Sequence, residues 1–269
     1  MMFPVRSLVA AILGLALCAC GASAEASPGP PAERSAAAIR RPPPKVNWHY
    51  QLQGNVEPGA AQVVDMDGFD TPASFVLQLR RERRYPICYI NAGTWEDWRP
   101  DKGRFPSSVL GNSNGWPGER WLDIRRLNVL APIMRARMRI CRDKRFRAVE
   151  TDNVDGYLDD NTGFPLTGDD QLVYNRGLAR TAHRYGLAIG LKNDFNQMSL
   201  LVPYFDFAVV EECFTYEDCH MVSAFTRRRK AVFDVEYAIP RTQFCPQAQA
   251  MKINGIEADQ LLNGRTVPC

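Results

Sequence analysis

Acidic residues occur in four short runs along the chain, and each run directly follows an apolar or β-branched segment. The runs lie at 65–70 (DMDGFD), 150–157 (ETDNVDGY), 192–194 (KND) and 211–213 (EEC). Paired carboxyl groups can perform acid–base chemistry, because one donates a proton while the other attacks or accepts one. A single run could cap a helix or solvate a loop. Four runs in succession predict one shared acidic site.

Strand alternation selects two of these carboxylates. Side chains of a β-strand point alternately to opposite faces, so Glu150 and Asp152 share one face of a predicted strand. Glu211 shares a face with Val209, and Glu212 points the other way. If Asp152 and Glu211 both point inward, they face each other across the site. The chain has no nucleophile motif and no metal-ligand cluster, so the pattern predicts glycoside hydrolysis with Asp152 and Glu211 as the catalytic pair.

Tryptophan residues are concentrated in the segment 91–121, which is also rich in Gly, Pro, Asn and Asp. Its four tryptophans are Trp95, Trp98, Trp116 and Trp121. This composition predicts a large loop over the active face. Indole rings stack on sugar rings, and Trp98 and Trp116 are the candidates for substrate contact. The alternative is that some of these rings only pack the loop onto the domain.

These residues require structural elements that bring them together. Short β-rich runs predict strands at 47–52, 62–66, 87–91, 148–151, 188–192, 207–211, 231–237 and 252–256. Apolar periodicity predicts helices at 72–84, 127–143, 170–185, 198–204 and 221–229. Eight strands alternating with helices predict a single-domain α/β fold, a (β/α)8 TIM-type barrel, with catalytic side chains at the C-terminal strand ends. A doubly wound open sheet is the alternative, but no Gly-x-Gly-x-x-Gly follows a strand.

The overall composition is that of a globular protein and excludes several functions. The chain has 269 residues, 45% of them hydrophobic, and a formal net charge of +3. We interpret the arginine runs at 80–84 and 227–229 as solvated helix ends, so we expect no nucleic-acid partner. The only long apolar run is N-terminal, which excludes a multi-span membrane protein. We expect a monomer that binds a polysaccharide and uses no cofactor.

The first 24 residues have the pattern of a bacterial export signal. Arg6 precedes an apolar segment, 8–17, that is too short to span a bilayer. Ala22-Ser23-Ala24 suits ordinary signal-peptidase cleavage, whereas 17–21 (LCACG) resembles a lipobox with Cys20 as the lipid-bearing residue. An uncleaved anchor is the third alternative. We expect a cell-envelope lipoprotein or a secreted or periplasmic protein, with membrane contact only through an N-terminal lipid.

A Pro- and Ala-rich segment, 25–45, follows the signal and predicts a linker, because it cannot bury enough apolar surface to order itself. The folded domain is therefore predicted to span 46–269. Beyond Cys18 and Cys20 the chain contains six cysteines, which in an exported protein predict three disulfides among 15 connectivities. Cys213–Cys219 would close a short loop, Cys245–Cys269 would pin the C-terminus, and Cys88–Cys141 is the pair that remains. Zinc binding is the alternative, but without Cys-x-x-Cys and with three histidines we expect no metal.

With these motifs in order, the chain resembles the endo-α-1,4-polygalactosaminidase family, glycoside hydrolase family 114. Each motif alone is weak, and the ordered set is specific. The motifs are WHYQL (48–52), DMDGFD (65–70), CYINAG (88–93), WEDWRP (95–100), GWPGERWLDIR (115–125), ETDNVDGY (150–157), GLKN (190–193) and EECF (211–214).

The resemblance implies a (β/α)8 barrel that cuts an α-1,4-linked galactosamine exopolysaccharide internally. It implies Asp152 as nucleophile or base and Glu211 as general acid, whereas Glu212 stands where related sequences often carry an amide. The implied binding shell is Asp65, Asp67, Tyr89, Asp155, Lys192 and Asn193. Two alternatives are a glycosidase or transglycosylase acting on another envelope amino-sugar glycan, and a non-catalytic carbohydrate-binding lipoprotein whose carboxylates only grip a cationic polymer.

Overall fold

The centre of the molecule is a barrel of parallel strands. The computed structural model describes residues 39–269. Its strands are β1 (Trp48–Gln51), β2 (Val63–Asp67), β3 (Tyr85–Asn91), β4 (Thr94–Glu96), β5 (Leu110–Ser113), β6 (Glu119–Leu122), β7 (Ala148–Asp152), β8 (Ala188–Lys192), β9 (Phe207–Glu211), β10 (Val232–Glu236), β11 (Asn254–Ala258) and β12 (Thr266–Pro268). Strands β1, β2, β3, β7, β8, β9, β10 and β11 neighbour one another in that order and run parallel, and β12 pairs antiparallel with β11.

The sheet curls until β1 lies beside β11. The indole Nε1 of Trp48 donates a 2.8 Å hydrogen bond to the carbonyl of Asn254. The backbone N–H groups of Leu52 and Gln53 both donate to the carbonyl of Leu262. These contacts nearly close the barrel, so the predicted (β/α)8 TIM-type fold is confirmed.

Helices cover the outer face of the barrel. They are α1 (Ala73–Arg81), α2 (Leu127–Asp143), α3 (Gly168–Arg184), α4 (Met198–Leu201), α5 (Ser223–Thr226) and α6 (Arg241–Met251). In α2 the buried Leu130, Met134 and Met138 recur at helical spacing and form one apolar face. Helix α3 begins at Thr167, whose side chain and that of Asp170 cap each other's backbone N–H groups.

Aromatic side chains fill the lower interior of the barrel. Trp48 and Phe207 pack against Phe233, with ring centroids 5.0 and 5.9 Å away. Gly190 allows this packing, because a Cβ at that position would lie 2.4 Å from the Phe207 ring. This apolar layer lies beneath the polar side chains at the C-terminal strand ends.

The sequence analysis did not predict three elements of secondary structure. The segment after β3, predicted as a loop, contains a three-stranded antiparallel sheet in the order β4-β6-β5. Helix α6 and strand β12 were also missed. Helix α6 buries only Phe244 and Ala248 and contains Pro246, so its sequence lacks the apolar stripe by which the other helices are found.

The residues directly after β7, β8 and β9 have left-handed backbone conformations: Asn153 (φ 57°), Asn193 (φ 44°) and Glu212 (φ 54°). Such angles are uncommon for residues other than glycine and concentrate at functional sites. They end each strand immediately after its last inward-facing side chain. Gly93 packs against this region, because a Cβ there would lie 1.5 Å from the carbonyl oxygen of Asn153.

Six cysteines form three disulfides, as expected from the sequence, and two of these join segments that are distant in the chain. Cys88–Cys141 connects β3 to α2, Cys213–Cys219 closes the loop after β9, and Cys245–Cys269 ties the C-terminus to α6. Such pairs are typical of proteins that fold in an oxidising compartment.

The folded part of the chain begins earlier than residue 46. Residues 39–45, assigned to the linker by composition, contact the barrel: Arg41 Nε lies 2.8 Å from Asp206 Oδ1, and the carbonyl of Arg40 accepts a hydrogen bond from Tyr85. Composition does not reveal such docking, because a single ion pair and a few backbone contacts suffice. The predicted signal, Cys20 and the rest of the linker lie outside the described residues. Among the helices of residues 39–269, none has the length and apolarity needed to cross a bilayer.

Candidate active site

A cavity of about 450 Å³ opens at the C-terminal ends of the barrel strands. Seven carboxylates line it: Asp67, Asp70, Glu96, Glu119, Asp152, Asp155 and Glu211. Its cationic lining residues are Arg99 and Lys192. The cavity is therefore acidic although the whole chain carries a net charge of +3, and it attracts cationic ligands locally.

Asp152 ends β7 at the base of this cavity. Its Oδ1 lies 2.9 Å from Lys192 Nζ, and its Oδ2 accepts hydrogen bonds from Tyr89 (2.7 Å) and the Asn153 amide (3.2 Å). Burial alone would raise the pKa of Asp152, but the Lys192 ammonium and the Tyr89 hydroxyl outweigh it and hold that pKa below its usual value. Asp152 is therefore ionised at neutral pH, as a nucleophile or base must be.

Glu211 ends β9 on the other side of Lys192. Tyr237 donates a 2.5 Å hydrogen bond to its Oε1, and Lys192 Nζ lies 3.2 Å from its Oε2. Asn193 contacts Glu211 twice, because its amide donates to Oε2 (3.4 Å) while its carbonyl oxygen accepts the Glu211 backbone N–H (3.0 Å). The side chain of Glu211 is 29% exposed, against 17% for Asp152, so Glu211 is the more accessible of the two.

Asp65 lies one layer deeper than predicted. It is fully buried, it pairs in register with Tyr50, and it does not line the cavity. Burial and the charge of Glu150 raise the pKa of Asp65 well above its usual value. Asp65 therefore lies beneath the site and not at the cavity wall, where the predicted contact with substrate would require it.

Asp67 lines the cavity, but its carboxylate is engaged by the protein. Its Oδ2 lies 2.7 Å from Arg99 Nη2, and its Oδ1 accepts the backbone N–H groups of Phe69 and Asp70 at 2.8 Å each. Asp67 thus fixes the turn after β2 and anchors Arg99 at the cavity wall.

Asp155 and Asp194 form a second pair of neighbouring acids, beside Asp152. Burial and the Asp152 charge raise the pKa of Asp155 to about 6. Burial and the Asp155 charge raise the pKa of Asp194 to about 8, and Asp194 accepts hydrogen bonds from Asn175 (3.0 Å) and Tyr157 (3.3 Å). At neutral pH, Asp194 keeps its proton while Asp155 presents a negative charge to the cavity.

The tryptophans of the segment after β3 divide into two groups. Trp98 and Trp116 line the cavity and are 51% and 45% exposed. Trp121 is buried and donates a 2.8 Å hydrogen bond to Asp159, and Trp95 donates to the carbonyl of Lys102. The first two rings are free to stack on a ligand, and the last two hold the antiparallel sheet in place.

Sequence reasoning did not single out Tyr50, Tyr237 or Glu119 as site residues. Tyr50 OH donates 3.1 Å to Glu150 Oε1, Tyr237 contacts Glu211, and Glu119 lines the cavity. The alternation that selected Asp152 also places Tyr50 on the inward face of its strand. Glu119 belongs to the unpredicted sheet, so no strand pattern pointed to it.

Comparisons with known proteins identify a matching family and similar structures. The model of glycoside-hydrolase family GH114 matches residues 29–269. The structure of Ega3 from Aspergillus fumigatus, in complex with galactosamine, is 32% identical with a TM-score of 0.80, covering 86% of this chain and 98% of that one. The glycoside hydrolase domain of PelA from Pseudomonas aeruginosa shares the fold at 12% identity, with a TM-score of 0.64 and coverage of 84% and 98%. No curated protein matches the chain significantly.

Proposed function

The chain belongs to glycoside-hydrolase family GH114, and we propose that it cleaves internal α-1,4 bonds in a galactosamine-containing polysaccharide. Asp152 would act as the nucleophile or base and Glu211 as the general acid. The observation that carries this proposal is the pair of inward carboxylates that share Lys192 at the base of an acidic cavity. Unacetylated galactosamine is cationic, and Ega3, with galactosamine bound, is the relative that supports the substrate class.

The test is cleavage of defined polymers by the folded domain. We expect α-1,4-linked galactosamine polymer to yield new reducing ends and oligomers of several lengths, and β-linked glucosamine polymer to remain intact. Cleavage of the second polymer alone would transfer the proposal to another amino-sugar glycan. Binding of the first polymer without cleavage would favour the non-catalytic alternative.

We propose a double-displacement reaction, because one oxygen of each carboxylate contacts the same Lys192 nitrogen. One Lys192 nitrogen lies 2.9 Å from an Asp152 oxygen and 3.2 Å from a Glu211 oxygen, so these oxygens are at most about 6 Å apart. Retaining glycosidases separate their carboxyl groups by about 5–5.5 Å, and inverting enzymes by about 6.5–9.5 Å to admit a water. We therefore expect products that first appear as the α-anomer in proton NMR spectra. First appearance of the β-anomer would contradict this assignment.

Asp155 is proposed to recognise the sugar amine. Above a pH of about 6 it is ionised and attracts an ammonium group, and below that pH it becomes neutral. We expect KM for the deacetylated polymer to rise as the pH falls through 6, and Asp155→Asn to raise KM about 10-fold at pH 7 and remove this dependence. Fully acetylated oligomers serve as the control, since their KM should change little. Equal losses on both substrates would assign Asp155 a structural role.

Trp98 and Trp116 are proposed to stack on sugar rings at the cavity rim, as their exposure suggests. We also propose export, because three disulfides suit an oxidising compartment. Lipidation of Cys20 remains a prediction, which the mass of the mature N-terminal peptide from the native host would test.

A further inference from the structure

The base of the cavity contains a buried lysine where a polysaccharide-cleaving site needs only two carboxylates. We propose that Lys192 is a positioning residue of the catalytic pair: its ammonium holds the carboxylates of Asp152 and Glu211 on either side of it, and it does not bind the sugar. This inference rests on the proposed function and differs from the binding role that the family resemblance implies.

The contacts of Lys192 leave little capacity for a ligand. Its Nζ lies 2.9 Å from Asp152 Oδ1, 3.2 Å from Glu211 Oε2 and 3.4 Å from Glu150 Oε1. An ammonium group has three N–H donors; this one donates to Asp152 and to the Tyr50 hydroxyl (3.4 Å), and the carboxylates of Glu211 and Glu150 lie within ion-pair distance. The side chain is 3% exposed. A sugar hydroxyl would have to displace one of the carboxylates to reach it.

The Lys192 ammonium offsets part of the negative charge of the carboxylates around it. Facing it from the strands of the barrel are the titratable groups Tyr50, Asp65, Tyr89, Glu150, Asp152, Asp155, Glu211 and Tyr237. Burial raises the pKa of Glu150, and Glu150, Asp152 and Glu211 all lie within ion-pair distance of the ammonium. Without it, like charges at this distance favour proton uptake by one of them. Burial opposes the charge of Lys192, yet Asp152, Glu211 and Glu150 raise its pKa well above the usual value.

The end of β8 reinforces the same arrangement. Directly after Lys192, the left-handed backbone of Asn193 places its amide where it makes the two contacts with Glu211 described above. Lys192 and Asn193 therefore both contact Oε2 of Glu211, Asn193 also accepts the Glu211 backbone N–H, and Lys192 contacts Asp152 as well. The geometry points to a single strand end that sets the position of the whole pair.

The experiment compares Lys192→Met and Lys192→Arg with Lys230→Met. Lys230 is a matched control, because it is also buried but donates to the carbonyls of Val202 and Phe205 and has no carboxylate within ion-pair distance among the described residues. Each variant would be assayed on α-1,4-galactosamine polymer across pH. The carboxyl carbons of aspartate would also be titrated by carbon NMR, with Asp152→Asn identifying the signal of Asp152.

We expect Lys192→Met to lower kcat by at least about 100-fold with KM changed less than about threefold, and to move the acidic limb of the pH profile upward by at least about one unit. The Asp152 signal should titrate at correspondingly higher pH. Lys192→Arg should retain the position of the acidic limb. Lys230→Met should lower the melting temperature without moving the limb.

A raised KM with an unmoved acidic limb in Lys192→Met would overturn the proposal and return Lys192 to the binding shell. If Lys192→Met does not fold, the wild-type titration decides, since an Asp152 signal that titrates at or above the ordinary aspartate range would also overturn it. A wild type that cleaves no polymer would refute the proposed function instead, and the NMR titration would still report on Lys192.

Discussion

Replacing Glu211 by Gln is expected to lower kcat/KM on the galactosamine polymer by at least about 1,000-fold, and Asp152→Asn at least as much. Both changes keep the size of the side chain and the ability to accept a hydrogen bond, so Tyr237 and Tyr89 retain their partners. Under the proposed mechanism, the variants lose the proton that Glu211 would give to the leaving oxygen and the charge that Asp152 would contribute at the anomeric carbon. Reducing-end assays at matched protein concentration and unchanged melting temperature would measure this loss.

The two variants are expected to differ in activity on an aryl α-galactosaminide with a good leaving group. Such a substrate needs no proton on departure, so Glu211→Gln should recover most of the bond-cleavage step while Asp152→Asn stays inactive. The reverse pattern would exchange the two roles.

Glu212→Gln is the matched control, one residue from the acid. Glu212 does not line the cavity, and its pKa is raised by burial and by the charge of Glu211. We expect this variant to keep activity within about threefold of wild type. If Glu212→Gln lost activity and Glu211→Gln kept it, the strand alternation on which the pair was chosen would be wrong.

The alternation of strand faces was sufficient to place Asp152 and Glu211 inward, because a period of two residues depends only on the local backbone. The alternation could not predict how deep each side chain lies along the barrel axis. Asp65 and Asp67 occupy the same face of β2, yet Asp65 is sealed beneath the cavity while Asp67 reaches its wall. Depth depends on the register between neighbouring strands, which is a tertiary property.

The segment between β3 and α2 shows a second limit of prediction from the sequence. Trp95 and Trp98 are three residues apart, but one supports the antiparallel sheet and the other lines the cavity. The pairing of β4 with β6 separates these two tryptophans, and the local amino-acid composition does not predict that pairing. The roles of Tyr237 and Lys192 likewise come from contacts across the barrel, between strands distant in the chain.

A buried ion network beneath the segment between β3 and α2 is the basis of the second large predicted effect, which is on stability. Arg137 in α2 is fully buried, and its Nε and Nη2 each lie 2.9 Å from a carboxylate oxygen of Asp101. Its Nη1 donates to the carbonyl of Asn91 (2.7 Å) and lies 3.2 Å from Glu96, whose side chain is 1% exposed. The rings of Phe69 and Phe105 flank the guanidinium at 5.2 and 5.3 Å. This one side chain therefore joins β3, β4 and the turn after β4 to the helical layer.

We expect Arg137→Met to lower the free energy of unfolding by about 3–5 kcal/mol, because it removes the bidentate partner of Asp101 and leaves the buried Glu96 with Arg99 as its remaining ion pair. For a domain of this size the melting temperature should fall by about 10 °C. Arg139→Met is the control, since Arg139 is exposed on the same helix and its replacement should change stability by less than about 0.5 kcal/mol. Thermal unfolding followed by circular dichroism, with the disulfides intact, would measure both. Equal melting temperatures for the two variants would mean that Asp101 and Glu96 are neutralised without Arg137. A large difference would instead establish that the sheet carrying Trp98 and Trp116 is held to the barrel by a buried charge.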